Sequence, residues 1–309
     1  VGTCVEEIAL EKERSVIDTW SRLYGFQEED IRKAMKKTRT PVLWINGLDC
    51  TGCMESFLRG ISSTTELLLD WISLEYSELL SSASGHQAES HKGRISKEYD
   101  GKFVLVIEGA IPLKDEYLTV AGKSVREEII ATAQKAKAVL AFGSCSAWGG
   151  LPAAKPNPTE SVSIRELVPN VPVVLVPGCP PIADVMIGTL LHLAIYGEIP
   201  ELDNKGRPKR FYRQTVHQVC HRKPFFDKGL FAESYDDEKA LKGYCLFKLG
   251  CKGPSTFNAC ETLGWNGMRT SPIGAGFACI GCSEKNFWDK GPLCHRKVRA
   301  GAKIKAKAR

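Results

Sequence analysis

VLWINGLDCTGCMES, residues 42–56, carries an unbroken apolar run, Val42-Leu43-Trp44-Ile45, straight into a Cys-x-x-Cys pair. Three further short apolar runs rich in β-branched residues follow, at Phe103–Ile107, Ala138–Phe142 and Val171–Val176. Stretches of helical periodicity lie between and after them, as at Ser124–Lys137 and Ile182–Tyr196. Strand and helix alternating in this way predict an α/β fold, a parallel sheet with helices on its faces. Ahead of the sheet, Val16, Ile17, Trp20, Leu23, Tyr24 and Ile31 predict one or two amphipathic helices between Ser15 and Lys37.

Each apolar run ends in a loop rich in glycine, cysteine or proline: NGLDCTGC (46–53), EGAIP (108–112), FGSCSAWGG (142–150) and VPGCPP (176–181). In open α/β sheets ligands collect outside the carboxyl ends of the strands, so Cys50, Cys53, Cys145 and Cys179 are expected at one rim. On its own the Cys-x-x-Cys spacing fits a zinc knuckle, a redox pair, an iron-sulfur site or two unrelated core thiols. Four thiolates together suit zinc or a cubane iron-sulfur cluster. Small neighbours, Thr51, Gly52, Gly143, Ser144 and Gly178, let backbone N–H groups approach inorganic sulfide and tilt the choice to iron-sulfur.

The chain has 309 residues, enough for about two domains, and a formal net charge of +6. Its 12 cysteines are spread along the sequence, which favours metal ligation over a disulfide scaffold. No apolar run reaches the roughly 18 residues of a membrane span, and the first forty residues lack the pattern of a secretory signal. After DNKGRPKR (203–210) the composition shifts to glycine, lysine, aromatic residues and cysteine with little periodicity, a segment suited to being held by metal clusters. The basic tail from 291 to 309 reads as a solvated end.

Within that segment HQVC (217–220) and CLFKLGC (245–251) offer His217, Cys220, Cys245 and Cys251. NAC (258–260) and SPIGAGFACIGC (271–282) offer Cys260, Cys279 and Cys282, with Pro272 where a fourth ligand would suit, a pattern for a three-iron cluster. Cys4 and Cys294 read as incidental thiols. Lys209, Arg210, Arg213, Arg222 and Lys223 cluster near His217 and fit either the steering of an acidic partner or a solvated basic surface.

LDCTGCMES, ISLEY (72–76), GSCSAWGG, VPGCPP, LGCKGP (249–254) and CIGCSEKNFWD (279–289), in this order, resemble the small, electron-transferring subunit of nickel-iron hydrogenases over about residues 41–290. The resemblance implies an N-terminal helical extension (1–40), a flavodoxin-like domain (41–205), an irregular iron-sulfur domain (206–290) and the basic tail (291–309). It implies a proximal 4Fe-4S cluster on Cys50, Cys53, Cys145 and Cys179, and a medial 3Fe-4S cluster on Cys260, Cys279 and Cys282. A distal 4Fe-4S cluster is implied on His217, Cys220, Cys245 and Cys251.

The implied partners are a large subunit, whose nickel-iron centre oxidises hydrogen, and a cytochrome or quinone-linked acceptor near the distal cluster. No nucleic acid is expected, and membrane association would run through a partner. The family is expected at the periplasmic face of the membrane, with the cytoplasm left open because neither signal nor anchor is visible. Oxygen-tolerant relatives are expected to carry two extra cysteines at the proximal cluster, where this sequence has Gly52 and Gly150. Two alternatives stand beside this reading: the same subunit in a hydrogen-sensing complex, and the related cluster subunit of NADH:quinone oxidoreductase. The latter is expected to have adjacent cysteines at the first motif and a single cluster.

Overall fold

A computed structural model describes residues 2–60, 64–267 and 270–289. Cys294, the 291–309 tail and the side chain of Cys4 lie outside what is described. Five parallel strands form the central sheet: β1 (Thr40–Asn46), β2 (Ile72–Ser77), β3 (Val104–Glu108), β4 (Ala138–Phe142) and β5 (Val173–Val176). Their spatial order, β2-β1-β3-β4-β5, is that of flavodoxin.

The four predicted strands are all present, and β2 is a fifth that the sequence pattern hid. It lies at the sheet edge, is only half-buried along Ser73–Glu75, and so lacks the continuous apolar run that marks strands covered on both faces.

Because successive side chains point to opposite faces, each strand feeds two cores. Val42, Trp44, Val106, Leu140, Phe142 and Val174 join the helices α1 (Gly2–Tyr24) and α2 (Glu28–Ala34) on one face. There Trp20 packs edge-on against Trp71, and Ile31 is fully buried. Leu43, Ile45, Leu105, Ile107, Val139 and Leu175 fill the other face with Ile95, Val125 and Ile129.

Short helices start at the sheet's carboxyl edge. α3 (Gly52–Phe57) follows β1, while α4 (Gly85–Glu98) and α5 (Val125–Ala133) cover the second face. Ser124 caps α5, its Oγ accepting the Glu127 N–H at 3.3 Å. α6 (Gly143–Trp148) follows β4, and α7 (Ala183–Tyr196), nearly all buried, follows β5.

Beyond residue 203 the chain forms only short helical turns and isolated bridges; Phe211, Tyr212, Ala259 and Leu263 join the main core, while Ala232, Leu246, Leu249 and Ala278 make a small one of their own. So little apolar burial cannot by itself offset the ordering of some eighty residues, which calls for other cross-links. Arg207, 2% exposed, is one: it bonds Asp203 at 2.8 Å and Glu284 at 3.0 Å, and its guanidinium lies over Tyr212 and Phe257. Among the described residues no helix is long and apolar enough to cross a membrane.

Candidate cluster-binding sites

Cys50 and Cys53 flank the start of α3, Cys145 sits in α6 and Cys179 follows β5, so three strand ends deliver four thiols to one rim. Thr51 takes a left-handed conformation (φ 60°), and Asp49 accepts its N–H at 2.9 Å. This turn sends Cys53 inward while Cys50 stays exposed. Every pair among the four thiols is close enough for charge on one to raise the pKa of another. Burial pushes the Cys53 thiol far up, with Glu108 and the other three thiols adding to it, and pushes Cys145 up to about 12. Sulfurs so placed are poor thiolates unless a cationic metal core neutralises them, and four of them fit a four-iron cluster. Glu108, 1% exposed, steadies the loop by accepting the Cys53 N–H at 2.9 Å and the Trp44 indole N–H at 3.1 Å.

Cys260, Cys279 and Cys282 form a second set in which every pair is again close enough for charge on one thiol to raise the pKa of the other. They line a cavity of about 440 Å³ together with Pro272, Glu261 and Cys179 of the first set. Burial pushes Cys260 up to about 12 and Cys279 up to about 11. A mostly apolar chamber offering three thiols and a proline fits an inorganic cluster with three cysteine ligands.

Cys220, Cys245 and Cys251 make a third mutually interacting set. His217 lies beside it: a Cβ placed on Gly253 would be 3.5 Å from both the His217 backbone nitrogen and the Cys251 sulfur, and 3.7 Å from the His217 Cβ. The His217 ring packs edge-on against Phe226, which in turn touches Phe231 and Phe247. Cys220, His221 and Glu261 also bring ligand atoms within 4.8 Å of one another, but that trio draws on the same Cys220 sulfur. Sequence reading passed over Glu108 and Glu261, because a lone charged residue carries no motif, and counted the buried Arg222 with the basic cluster near His217.

The basic cluster near His217 is smaller than its sequence suggests. Lys209 pairs with Glu201, Lys223 pairs with Asp227 and Arg222 is buried. Arg210 and Arg213 remain as exposed cations.

The three sets adjoin in a row. Cys179 of the first is near enough to Cys282 of the second to raise its pKa, and Cys251 of the third stands in the same relation to Cys279 of the second. Residues 212–294 match the family model for the C-terminal part of the NiFe/NiFeSe hydrogenase small subunit. The uptake hydrogenase small subunit of Azotobacter vinelandii is 49% identical over 263 residues, covering 84% of this chain and 74% of that protein. The chain belongs to the nickel-iron uptake hydrogenase small-subunit family.

The corresponding Alcaligenes hydrogenophilus protein is 48% identical, over 84% of this chain and 72% of its own length. Among solved structures, the [NiFeSe]-hydrogenase of Dm. baculatum matches with a TM-score of 0.77 and 35% identity, over 85% of this chain and 100% of that one. The recombinant [NiFeSe] hydrogenase from Desulfovibrio Vulgaris Hildenborough matches with a TM-score of 0.79 and 30% identity, over 85% and 99%. Residues 50–193 also match the model for the 20 Kd subunit of NADH ubiquinone oxidoreductase. The C-terminal match and the relatives aligned over 84% of the chain carry the hydrogenase small-subunit assignment. As a nickel-iron hydrogenase small subunit it carries iron-sulfur clusters and pairs with a large subunit that holds the nickel-iron centre.

Proposed function

We propose that the three thiol sets hold, in order, a proximal 4Fe-4S cluster on Cys50, Cys53, Cys145 and Cys179, a medial 3Fe-4S cluster on Cys260, Cys279 and Cys282, and a distal 4Fe-4S cluster on His217, Cys220, Cys245 and Cys251. The observation that carries this reading is the row itself, with Cys179 beside Cys282 and Cys279 beside Cys251. When bound, the clusters supply one-electron carriers between the large subunit's nickel-iron centre, where hydrogen is oxidised, and an external acceptor.

The chain's own residues hold and insulate that path. Cys53, Cys260 and Cys245, one in each set, are buried, which limits the access of water to the three sites. The Thr51 turn aims the first pair, and Phe226 shields one side of His217. Exposed Arg210 and Arg213 favour an acidic acceptor, a cytochrome or a quinone-linked protein, with membrane association through that partner. The periplasmic face is proposed as its place on the family expectation alone.

Pro272 supplies the test of the three-iron assignment. In the purified heterodimer, Pro272→Cys should replace the oxidised three-iron signal in electron paramagnetic resonance with that of a four-iron cluster of lower potential. An unchanged three-iron signal would contradict the placement of Pro272 at the missing ligand.

A further inference from the structure

We infer that Glu261 and Arg222 are fixed opposite charges that set the direction of electron flow between the second and third thiol sets, a role that rests on the cluster assignments above. The Glu261 side chain is 5% exposed. It lines the chamber of Cys260, Cys279 and Cys282, and it offers a carboxylate oxygen within 4.8 Å of the Cys220 sulfur. The carboxylate therefore stands between the two sets. Ser271 Oγ donates to it at 2.5 Å, and His221 Nδ1 lies 2.8 Å away. Its charge reaches Cys260 and Cys279 on one side and Cys220 and Cys251 on the other.

Arg222 is 7% exposed and forms no ion pair among the described residues. One guanidinium nitrogen donates to the Tyr244 carbonyl at 2.8 Å, while Nε is buried without a hydrogen-bond partner. A buried, unpaired N–H is costly, so its presence beside ligand thiols is explained by an acceptor on the cluster side. Its positive charge reaches Cys245 and Cys251, both of the third set.

Net charge and hydrogen bonds to sulfur set cluster potentials. Glu261 disfavours an added electron at both sets, but at the distal one Arg222 offsets it and adds a donor. One electron leaving the medial cluster and reducing the distal one thus passes from a set that feels the carboxylate alone to one where the guanidinium offsets it, with no bond made or broken. Both are positioning residues in this sense, acting on potential rather than on hydrogen.

The test is a potentiometric titration of the purified heterodimer followed by electron paramagnetic resonance. Glu261→Gln should raise the reduced-to-oxidised ratio of the medial cluster about tenfold at fixed ambient potential, which for one electron is about 59 mV. Arg222→Gln should lower that ratio at the distal cluster by a similar factor. Glu261→Asp and Arg222→Lys, which keep the charges, should stay within about threefold of wild type. Intact cluster signals with unmoved potentials in the neutral variants would overturn the inference, as would shifts equally large in the charge-conserving ones. Loss of a cluster in a neutral variant would overturn it too, since the charge would then serve assembly. Absence of cluster signals in the wild type would instead defeat the cluster assignments.

Discussion

Ser144 donates its hydroxyl to the backbone carbonyl of Cys282, 138 positions further along the chain. The same oxygen accepts the Gly178 N–H at 3.0 Å, and nearby Trp148 donates to the Ser283 carbonyl at 3.2 Å. One buried hydroxyl thus joins the loops that present Cys145, Cys179 and Cys282. Ser144→Ala would leave a buried N–H and a carbonyl without their partner, at a cost of about 1–3 kcal/mol. The heterodimer should denature at a lower temperature, and an unchanged midpoint would show that the two loops are held by other means.

Gly150 has φ 55° and ψ −151°, a conformation that residues with a Cβ avoid. A Cβ there would lie 2.5 Å from the Cys145 sulfur and 2.6 Å from its Cα. Gly150→Cys should therefore displace Cys145 rather than supply a further ligand, and the proximal signal should be lost. At Gly52 a Cβ would lie 3.2 Å from the Cys50 sulfur, so Gly52→Cys should be tolerated. With four thiols at this rim, the wild-type complex should stop oxidising hydrogen in air and recover after reduction. A Gly150→Cys complex that keeps its proximal signal and turns over in air would contradict this.

The sheet was readable because four of its five strands, the edge strand β5 among them, carry a continuous apolar run, and the cysteines were readable because their spacing within loops is distinctive. The edge strand β2 escaped because Ser73 and Glu75 interrupt its apolar run. At the sites, sequence named the thiols but not what surrounds them. Ser144 reaches Cys282 across 138 positions and Glu261 reaches Cys220 across the fold, contacts that no local pattern encodes. The basic cluster near His217 was overcounted because nearby carboxylates were not set against it: Lys223 pairs with Asp227 at i,i+4 and Lys209 with Glu201 eight residues back.

Asp203 gives a pH dependence remote from the thiols. Burial raises its carboxyl pKa, but the Arg207 N–H and guanidinium and the Lys205 N–H outweigh this, leaving it below the usual carboxylate value. A carboxyl depressed on folding stabilises the native state above its unfolded pKa of about 3.9, and that contribution is lost as pH falls through the folded value. Asp203→Asn should lower thermal stability at neutral pH, and its difference from wild type should shrink below about pH 4. A constant difference across that range would mean that the ion pair with Arg207 contributes nothing through ionisation.

Acid-labile sulfide, measured per nickel on the purified heterodimer alongside zinc, tests the relay most directly. Three clusters of four sulfides each give about twelve sulfides per nickel and no stoichiometric zinc. Zinc bound at the thiol sets with no sulfide released would contradict the relay.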